Sequence, residues 1–120
     1  MNNKRLGMTF EKKFCEILAR QGFWVHFIAP DMRGSQPFDI VAMKNKKAYA
    51  YDCKTSASHL FPFTRLEDNQ IMAFEKWLKC GGTMPYIAIA FNKKVYLVEY
   101  EDLKRAGTVD LTKLWGVYDL

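Results

Sequence analysis

A chain of 120 residues, 49% hydrophobic and 26% charged, has the composition of one globular domain, residues 1–120, and not of a disordered segment. Its formal net charge of +5 is a modest cationic excess, which fits nucleic-acid binding without requiring it. Three cysteines without a C-x-x-C pair argue against a disulfide framework or a zinc knuckle, and no apolar run suits a signal peptide or a membrane span. We therefore expect a protein of the reducing cytoplasm that does not enter a membrane.

The sequence patterns predict three helices and five strands. Apolar residues at helical spacing indicate the helices, and runs of aromatic and β-branched residues indicate the strands. In chain order, the predicted elements are a helix at 4–21, a strand at 23–29, a turn-rich stretch at 30–37, strands at 38–43 and 48–54, a loop at 55–63, a helix at 64–80, strands at 84–91 and 95–100, and a short helix at 101–106. This order favours an α/β fold, a single domain with a mixed central sheet flanked by helices.

Local signals define some ends and partners of these elements. Thr64 followed by Glu67 has the form of a capping box, which predicts that the second helix begins there. The polar turn at 44–47 predicts that the strands on either side pair antiparallel. The strand at 84–91 is strongly apolar, which predicts a central place in the sheet. The segment at 111–120 is apolar enough to pack, but its pattern does not place it.

Asp52 and Lys54 lie two residues apart on the third predicted strand. Because strand side chains alternate between faces, these two share one face while Tyr51 and Cys53 point to the core. Asp39, on the adjoining strand, would approach Asp52 if the register allows it. Taken alone, an acid and a lysine at this spacing are usually a solvated surface pair.

Two neighbouring carboxylates repel each other, and a divalent cation between them would remove that repulsion. Mg²⁺ takes one or two carboxylates together with water and phosphate oxygens, and it polarises a phosphodiester. Lys54 beside a metal-bound water would orient it or neutralise developing charge, and the backbone carbonyl of Cys53 offers a further oxygen ligand. Asp39, Asp52 and Lys54 thus predict a site that hydrolyses phosphodiester bonds with Mg²⁺, for which Mn²⁺ would substitute.

Six other residues are candidates for supporting roles or for contacts with nucleic acid. Glu11 borders the apolar stripe of the first helix and Gln70 lies near the start of the second; each is unremarkable alone, but both flank the same sheet. Arg33 and Ser35 belong to the turn-rich stretch, where an arginine fork suits phosphate and an ordinary turn is an equal explanation. Thr55 directly follows Lys54, and Arg65 near a helix start would either meet DNA or remain solvated.

The strings Phe10-Glu11, Phe38-Asp39-Ile40 and Asp52-Cys53-Lys54 occur in the order of the PD-(D/E)XK nuclease superfamily, which this chain resembles. The resemblance implies a restriction-endonuclease-like core of one helix, three strands, a helix and a strand. It implies metal ligation by Asp39 and Asp52, a catalytic Lys54, an auxiliary acid at Glu11 that would also reach the metal, and support of the site or DNA contact by Gln70.

Downstream, the chain is similar to RecU-type Holliday-junction resolvases in Phe61-Pro62, Asp68-Asn69-Gln70-Ile71 and Gly81-Gly82. This resemblance implies a Mg²⁺-dependent endonuclease of recombination and repair that acts on branched DNA as a homodimer, encoded by a bacterium or a phage. Two departures keep alternatives open. Only the short stretch 30–37 stands where those resolvases carry a long stalk, which leaves room for a restriction- or repair-type nuclease on other DNA structures. Asp52 stands where they usually have Glu, which leaves room for an inactive DNA-binding protein of the same fold.

Overall fold

A six-stranded mixed sheet runs through the protein and carries helices on both faces. The computed structural model describes residues 3–29 and 37–120, with the side chains of the first helix described from Phe10 onward. The helices are α1 (Asn3–Arg20), α2 (Asp68–Lys79) and α3 (Tyr100–Ala106), and the strands are β1 (Trp24–Phe27), β2 (Ile40–Lys44), β3 (Lys47–Thr55), β4 (Leu60–Pro62), β5 (Tyr86–Phe91), β6 (Lys94–Glu99), β7 (Thr108–Asp110) and β8 (Tyr118–Asp119).

The strand order in the large sheet is β1-β2-β3-β5-β6-β8. β3 and β5 pair in parallel, and the other neighbours pair antiparallel. The parallel pair is joined through α2, as a crossover connection requires. The α/β class and the mixed central sheet predicted from the sequence are thereby confirmed, with the restriction-endonuclease-like order of elements intact. None of the described helices is both long and apolar enough to cross a membrane.

The sheet separates two apolar clusters, one under each helical layer. On one face, Phe14 and Leu18 of α1 pack against Ile40 and Tyr51. The other face holds Phe74 of α2 with residues of α3 and of the central strands. Alternate residues of β5 enter both clusters, which explains why this strand is apolar throughout. The predicted central position of β5 is confirmed.

Two hairpins close with two-residue turns. Asn45-Lys46 joins β2 to β3, and Asn92-Lys93 joins β5 to β6. All four turn residues have positive φ, at 53°, 67°, 50° and 63°, which matches the turn that fits strand twist. Asparagine tolerates this conformation, whereas lysine is strained in it. The predicted antiparallel pairing across residues 44–47 is confirmed.

The predicted capping box at Thr64 is wrong. Thr64 lies in a 3-10 turn, Phe63–Arg65, and α2 begins only at Asp68. The capping box begins three residues later, at Glu67. The Glu67 side chain accepts from the backbone of Gln70, and the Gln70 side chain accepts from the Glu67 backbone. Leu66 between the two sites is extended and buried in the core, so a helix could not pass through it.

Three short strands were not predicted. β4 lies within the predicted loop at 55–63 and pairs with β7 in a separate two-stranded sheet. β8 extends the large sheet beside β6 and places the segment that the sequence pattern left open. β1 is shorter than the strand predicted at 23–29, and β2 begins at Ile40, so Asp39 precedes the strand instead of lying within it.

Candidate active site

Asp39 is fixed by three hydrogen bonds at the point where β2 begins. Its backbone N donates to Tyr51 O at 3.1 Å, and its backbone O accepts from Ile28 N at 2.7 Å. Its side-chain Oδ2 accepts from the backbone N of Cys53 at 2.7 Å. β2 does not extend alongside Cys53. The Asp39 side chain therefore accepts the hydrogen bond that a neighbouring strand would otherwise accept on this edge of β3. This contact decides the register that the sequence left open.

Asp52 is fully buried, with 0% of its surface exposed, and Lys54 retains 16% of its side-chain exposure. Asp52 Oδ1 accepts from Gln70 Nε2 at 2.8 Å, and Asp52 Oδ2 lies 3.4 Å from Lys54 Nζ. Lys54 Nζ also donates to Gln70 Oε1 at 3.2 Å. The alternative of a solvated surface pair is therefore wrong for these residues, because the acid has no contact with water.

Gln70 joins the sheet to the start of α2. It is the third residue of that helix, and its Oε1 accepts from Glu67 N at 2.9 Å as well as from Lys54. Its amide nitrogen is the donor to Asp52. One buried side chain thus holds the acid and the lysine in a fixed relation and ties both to the helix terminus. A glutamine suits this place because it supplies a donor and an acceptor at once.

Asp52, Glu11 and Cys53 each have a raised pKa. Burial raises the pKa of Asp52 well above its ordinary value, the nearby Asp39 carboxylate raises it further, and Lys54 opposes both. Burial, with Asp39 as the second cause, raises the pKa of Glu11 from 4.5 to about 7. Burial likewise raises the pKa of the Cys53 thiol, which leaves this group protonated and unsuited to act as a nucleophile.

Two carboxylate oxygens of the site are buried without a hydrogen bond, Asp52 Oδ2 and Glu11 Oε2. Buried carboxylate oxygens without partners are costly, and a bound cation is one way to satisfy them. Glu11 lines a cavity of about 270 Å³, and Asp52 contacts two of the lining residues, Lys54 and Gln70. The lining residues of this cavity are Glu11, Asp39, Cys53, Lys54, Glu67, Asn69 and Gln70.

This donor set fits a hard divalent cation. Within residues 3–29 and 37–120, no group of three or more His, Cys, Asp or Glu side chains could hold a metal by itself. Mg²⁺ does not need such a cage, because it binds through one or two carboxylates and fills its remaining positions with water and phosphate oxygens. Asp39 and Asp52 supply two carboxylates, and the carbonyl of Cys53 lies on the same strand edge as its N–H, beside Asp39.

The structure brings Glu11, Asp39, Lys54, Gln70 and the Cys53 backbone to one cavity, with Asp52 directly behind its wall. Thr55 and Arg65 are not among its lining residues; both are exposed, and Arg65 donates to Thr55 O. Arg33 and Ser35 lie outside the described residues. Glu67 and Asn69 also line the cavity and were not predicted as site residues. The signal for Glu67 was its position three residues before Gln70, which marks the true helix start.

An α/β sheet carrying two acids and a lysine at the start of β2 and on β3 defines a member of the restriction-endonuclease-like superfamily. The model of the archaeal Holliday junction resolvase (Hjc) family matches residues 2–113. The chain therefore belongs to this family.

Two relatives agree with this assignment. The crossover junction endodeoxyribonuclease Hjc of Methanocaldococcus jannaschii is 28% identical over 94 residues, which cover 78% of this chain and 65% of that protein. The match thus spans slightly less than two thirds of the relative's length. The solved structure of Archaeoglobus fulgidus Hjc, described as a Holliday junction resolvase from an archaeal hyperthermophile, superposes with a TM-score of 0.67 and covers 87% of this chain and 86% of that one. At 22% identity, it supports the fold.

The resemblance to RecU-type resolvases is corrected by this match. The superfamily was identified properly, but the family is Hjc and not RecU. The match is also against the expected bacterial or phage origin, because the matching family is described as archaeal. The RecU resemblance was carried by short motifs, namely Phe61-Pro62, Asp68-Asn69-Gln70-Ile71 and Gly81-Gly82, and these do not separate the RecU and Hjc branches of the superfamily.

Proposed function

We propose that the protein is a metal-dependent endonuclease that hydrolyses phosphodiester bonds of four-way DNA junctions in recombination and repair. The observation that carries this proposal is the buried Asp52 carboxylate, which has one oxygen without a hydrogen bond and lies 3.4 Å from Lys54 beside the cavity. A buried acid with an oxygen that lacks a hydrogen bond costs stability, and a hydrolase of anionic diesters has a chemical use for it.

In this proposal, Asp39 and Asp52 would hold the metal, with the Cys53 carbonyl as a further ligand and Glu11 at the margin. Mg²⁺, or Mn²⁺ in its place, supplies polarisation of the phosphodiester and a bound water of lowered pKa. The Asp39 carboxylate remains anchored through its bond to Cys53 N, and Asp52 through its bond to Gln70. These contacts fix the direction in which the ligand oxygens can act.

Lys54 has a separate role in the proposed reaction. Its ammonium group lines the cavity and is held between Asp52 and Gln70. A cation fixed there neutralises negative charge that develops on the phosphate oxygens, and it orients the attacking water. Gln70 acts on the reaction through Lys54 and Asp52, as a positioning residue.

The family of the chain and the symmetry of a four-way junction support this choice of substrate. The relatives are named as Holliday junction resolvases and as a crossover junction endodeoxyribonuclease, and the net charge of +5 suits a DNA partner. A four-way junction offers two equivalent strands, so a symmetric homodimer would place one site at each. Light scattering at working concentration tests this part, and a protein that stays monomeric would contradict it.

The experiment is cleavage of a labelled four-way junction beside a linear duplex of matched sequence, with Mg²⁺ and separately with Mn²⁺. We expect paired cuts in the junction that fall by roughly 10²-fold or more in Asp39→Asn and Asp52→Asn. Asp119→Asn is the matched control, because it makes the same chemical change at an exposed carboxylate on β8. Equal cutting of both DNAs would replace the proposal with a nuclease of broader specificity. Binding without cutting under either metal would replace it with a DNA-binding protein.

A further inference from the structure

β3 continues for several residues beyond the end of its pairing with β2. The last paired residue on this side is Tyr51, opposite Ile40. Polar backbone groups of every second residue point to this free edge. Cys53 N donates there to Asp39 Oδ2, and farther along the edge, past the Cys53 carbonyl, Thr55 O accepts from Arg65 Nη2 at 2.9 Å. A carboxylate and a guanidinium thus follow one another along the same edge.

Arg65 is exposed and yet held in one place. Besides its bond to Thr55 O, its guanidinium carbon lies 5.1 Å from the centre of the Phe61 ring, which is fully buried. The contact with Thr55 uses one of the five N–H donors that an arginine carries. A guanidinium ordered before it meets a ligand loses less entropy on binding, which suits recognition of an anion.

Arg65 binds the same edge of β3 as the proposed metal ligand Asp39. Thr55 is two residues beyond Cys53, a separation of roughly 7 Å along a strand. The nearest acid on its own segment, Glu67, is engaged because its side chain accepts from the backbone of Gln70. The cavity itself is lined by acids, so a DNA strand that enters it needs cationic contacts at the rim.

We propose that Arg65 forms a binding site for a DNA backbone phosphate that flanks the one to be cut. The proposal rests on the proposed function, since it places the strand across the same edge of β3. The competing role for Arg65 is structural, namely holding the chain that follows Lys54 through Thr55 O.

Binding of a four-way junction and of a linear duplex is measured by fluorescence anisotropy over a series of salt concentrations, in EDTA. The parent protein carries Asp52→Asn, so that the DNA is not cut. The variants added to it are Arg65→Gln, Arg65→Lys and, as matched control, Lys47→Gln. Lys47 is an exposed cation at the start of β3, about 27 Å from Thr55 along the strand.

We expect Arg65→Gln to weaken binding of both DNAs roughly tenfold and to lower the slope of log K against log salt by about 0.9. Arg65→Lys keeps the charge and should keep most of the slope while losing part of the affinity, and Lys47→Gln should match the parent. If Arg65→Gln keeps the affinity and the salt slope of the parent, the phosphate site is overturned. It is also overturned if Arg65→Gln and Arg65→Lys lower the salt slope equally. A parent that binds neither DNA would instead refute the proposed function, so the two failures are distinguishable.

Discussion

Replacing Glu11 by glutamine should stabilise the metal-free protein at alkaline pH and leave it unchanged in acid. Burial, with Asp39 as the second cause, raises the pKa of Glu11 from 4.5 to about 7, and its Oε2 has no hydrogen bond. Between these two pH values the folded protein keeps a proton that the unfolded chain has released. Stability therefore falls as the pH rises through this range, and above about 7 the full cost of the charge is present.

The expected change in stability follows from the rise in the pKa of Glu11. A rise of about 2.5 in pKa corresponds to roughly 3.4 kcal/mol at about 1.36 kcal/mol for each pKa unit. Water still reaches part of the Glu11 side chain, so we discount this ceiling to about 1–2 kcal/mol. For a domain of this length, such a change moves the melting temperature by roughly 3–10 °C.

The assay is thermal unfolding of wild type, Glu11→Gln and Glu16→Gln in EDTA, at about pH 5 and about pH 8. Glu16 is the matched control, because it is an exposed glutamate on the same helix. We expect Glu11→Gln to melt higher than wild type at the alkaline pH alone, and Glu16→Gln to show no such dependence. A Glu11→Gln protein whose melting difference from wild type is the same at both pH values would refute the reasoning.

Three further predictions test other contacts. Gln70→Met removes the donor to Asp52, and we expect the cleavage rate to fall at least tenfold with unchanged DNA affinity; a loss of affinity alone would contradict the positioning role. Lys93→Gly relieves a residue at φ 63° and should stabilise the fold by about 0.5–1 kcal/mol in urea unfolding, whereas a destabilised variant would show that the turn carries no strain. Tyr100→Phe deletes a 2.6 Å hydrogen bond to Glu75, the first cause of that carboxyl's lowered pKa, so an NMR titration should show the Glu75 pKa rising; no change would assign the lowering to other groups.

The elements with strong local patterns could be predicted from the sequence, and the elements defined by distant partners could not. α1, β3 and β5 carry long apolar patterns, and the structure has them within two residues of the predicted bounds. β4 and β7 have three residues each and exist through pairing with each other across more than 40 residues of chain. No local signal carries that information, because short strands gain their stability from the partner.

The site shows the same division between local and distant information. Alternation along β3 correctly placed Asp52 and Lys54 on one face and Cys53 on the other. Asp39 contacts β3 because of where β2 begins. The alternation of side chains along a strand does not define where that strand begins. The error at Thr64 arose because two overlapping segments satisfy the capping pattern, and only the burial of Leu66 decides between them.

The buried acids that the proposed chemistry requires lower the stability of the metal-free protein. An isolated domain would gain stability by neutralising Asp52 and Glu11, because both hold buried oxygens without hydrogen bonds. The surrounding structure tolerates them because β5 is covered on both faces and because Gln70 fixes Asp52 from the helix side. Substitutions that remove these charges should therefore raise the melting temperature of the metal-free protein and lower its activity together. Such an inverse relation is expected of a catalytic site, and a purely structural acid cluster would lose stability when it is neutralised.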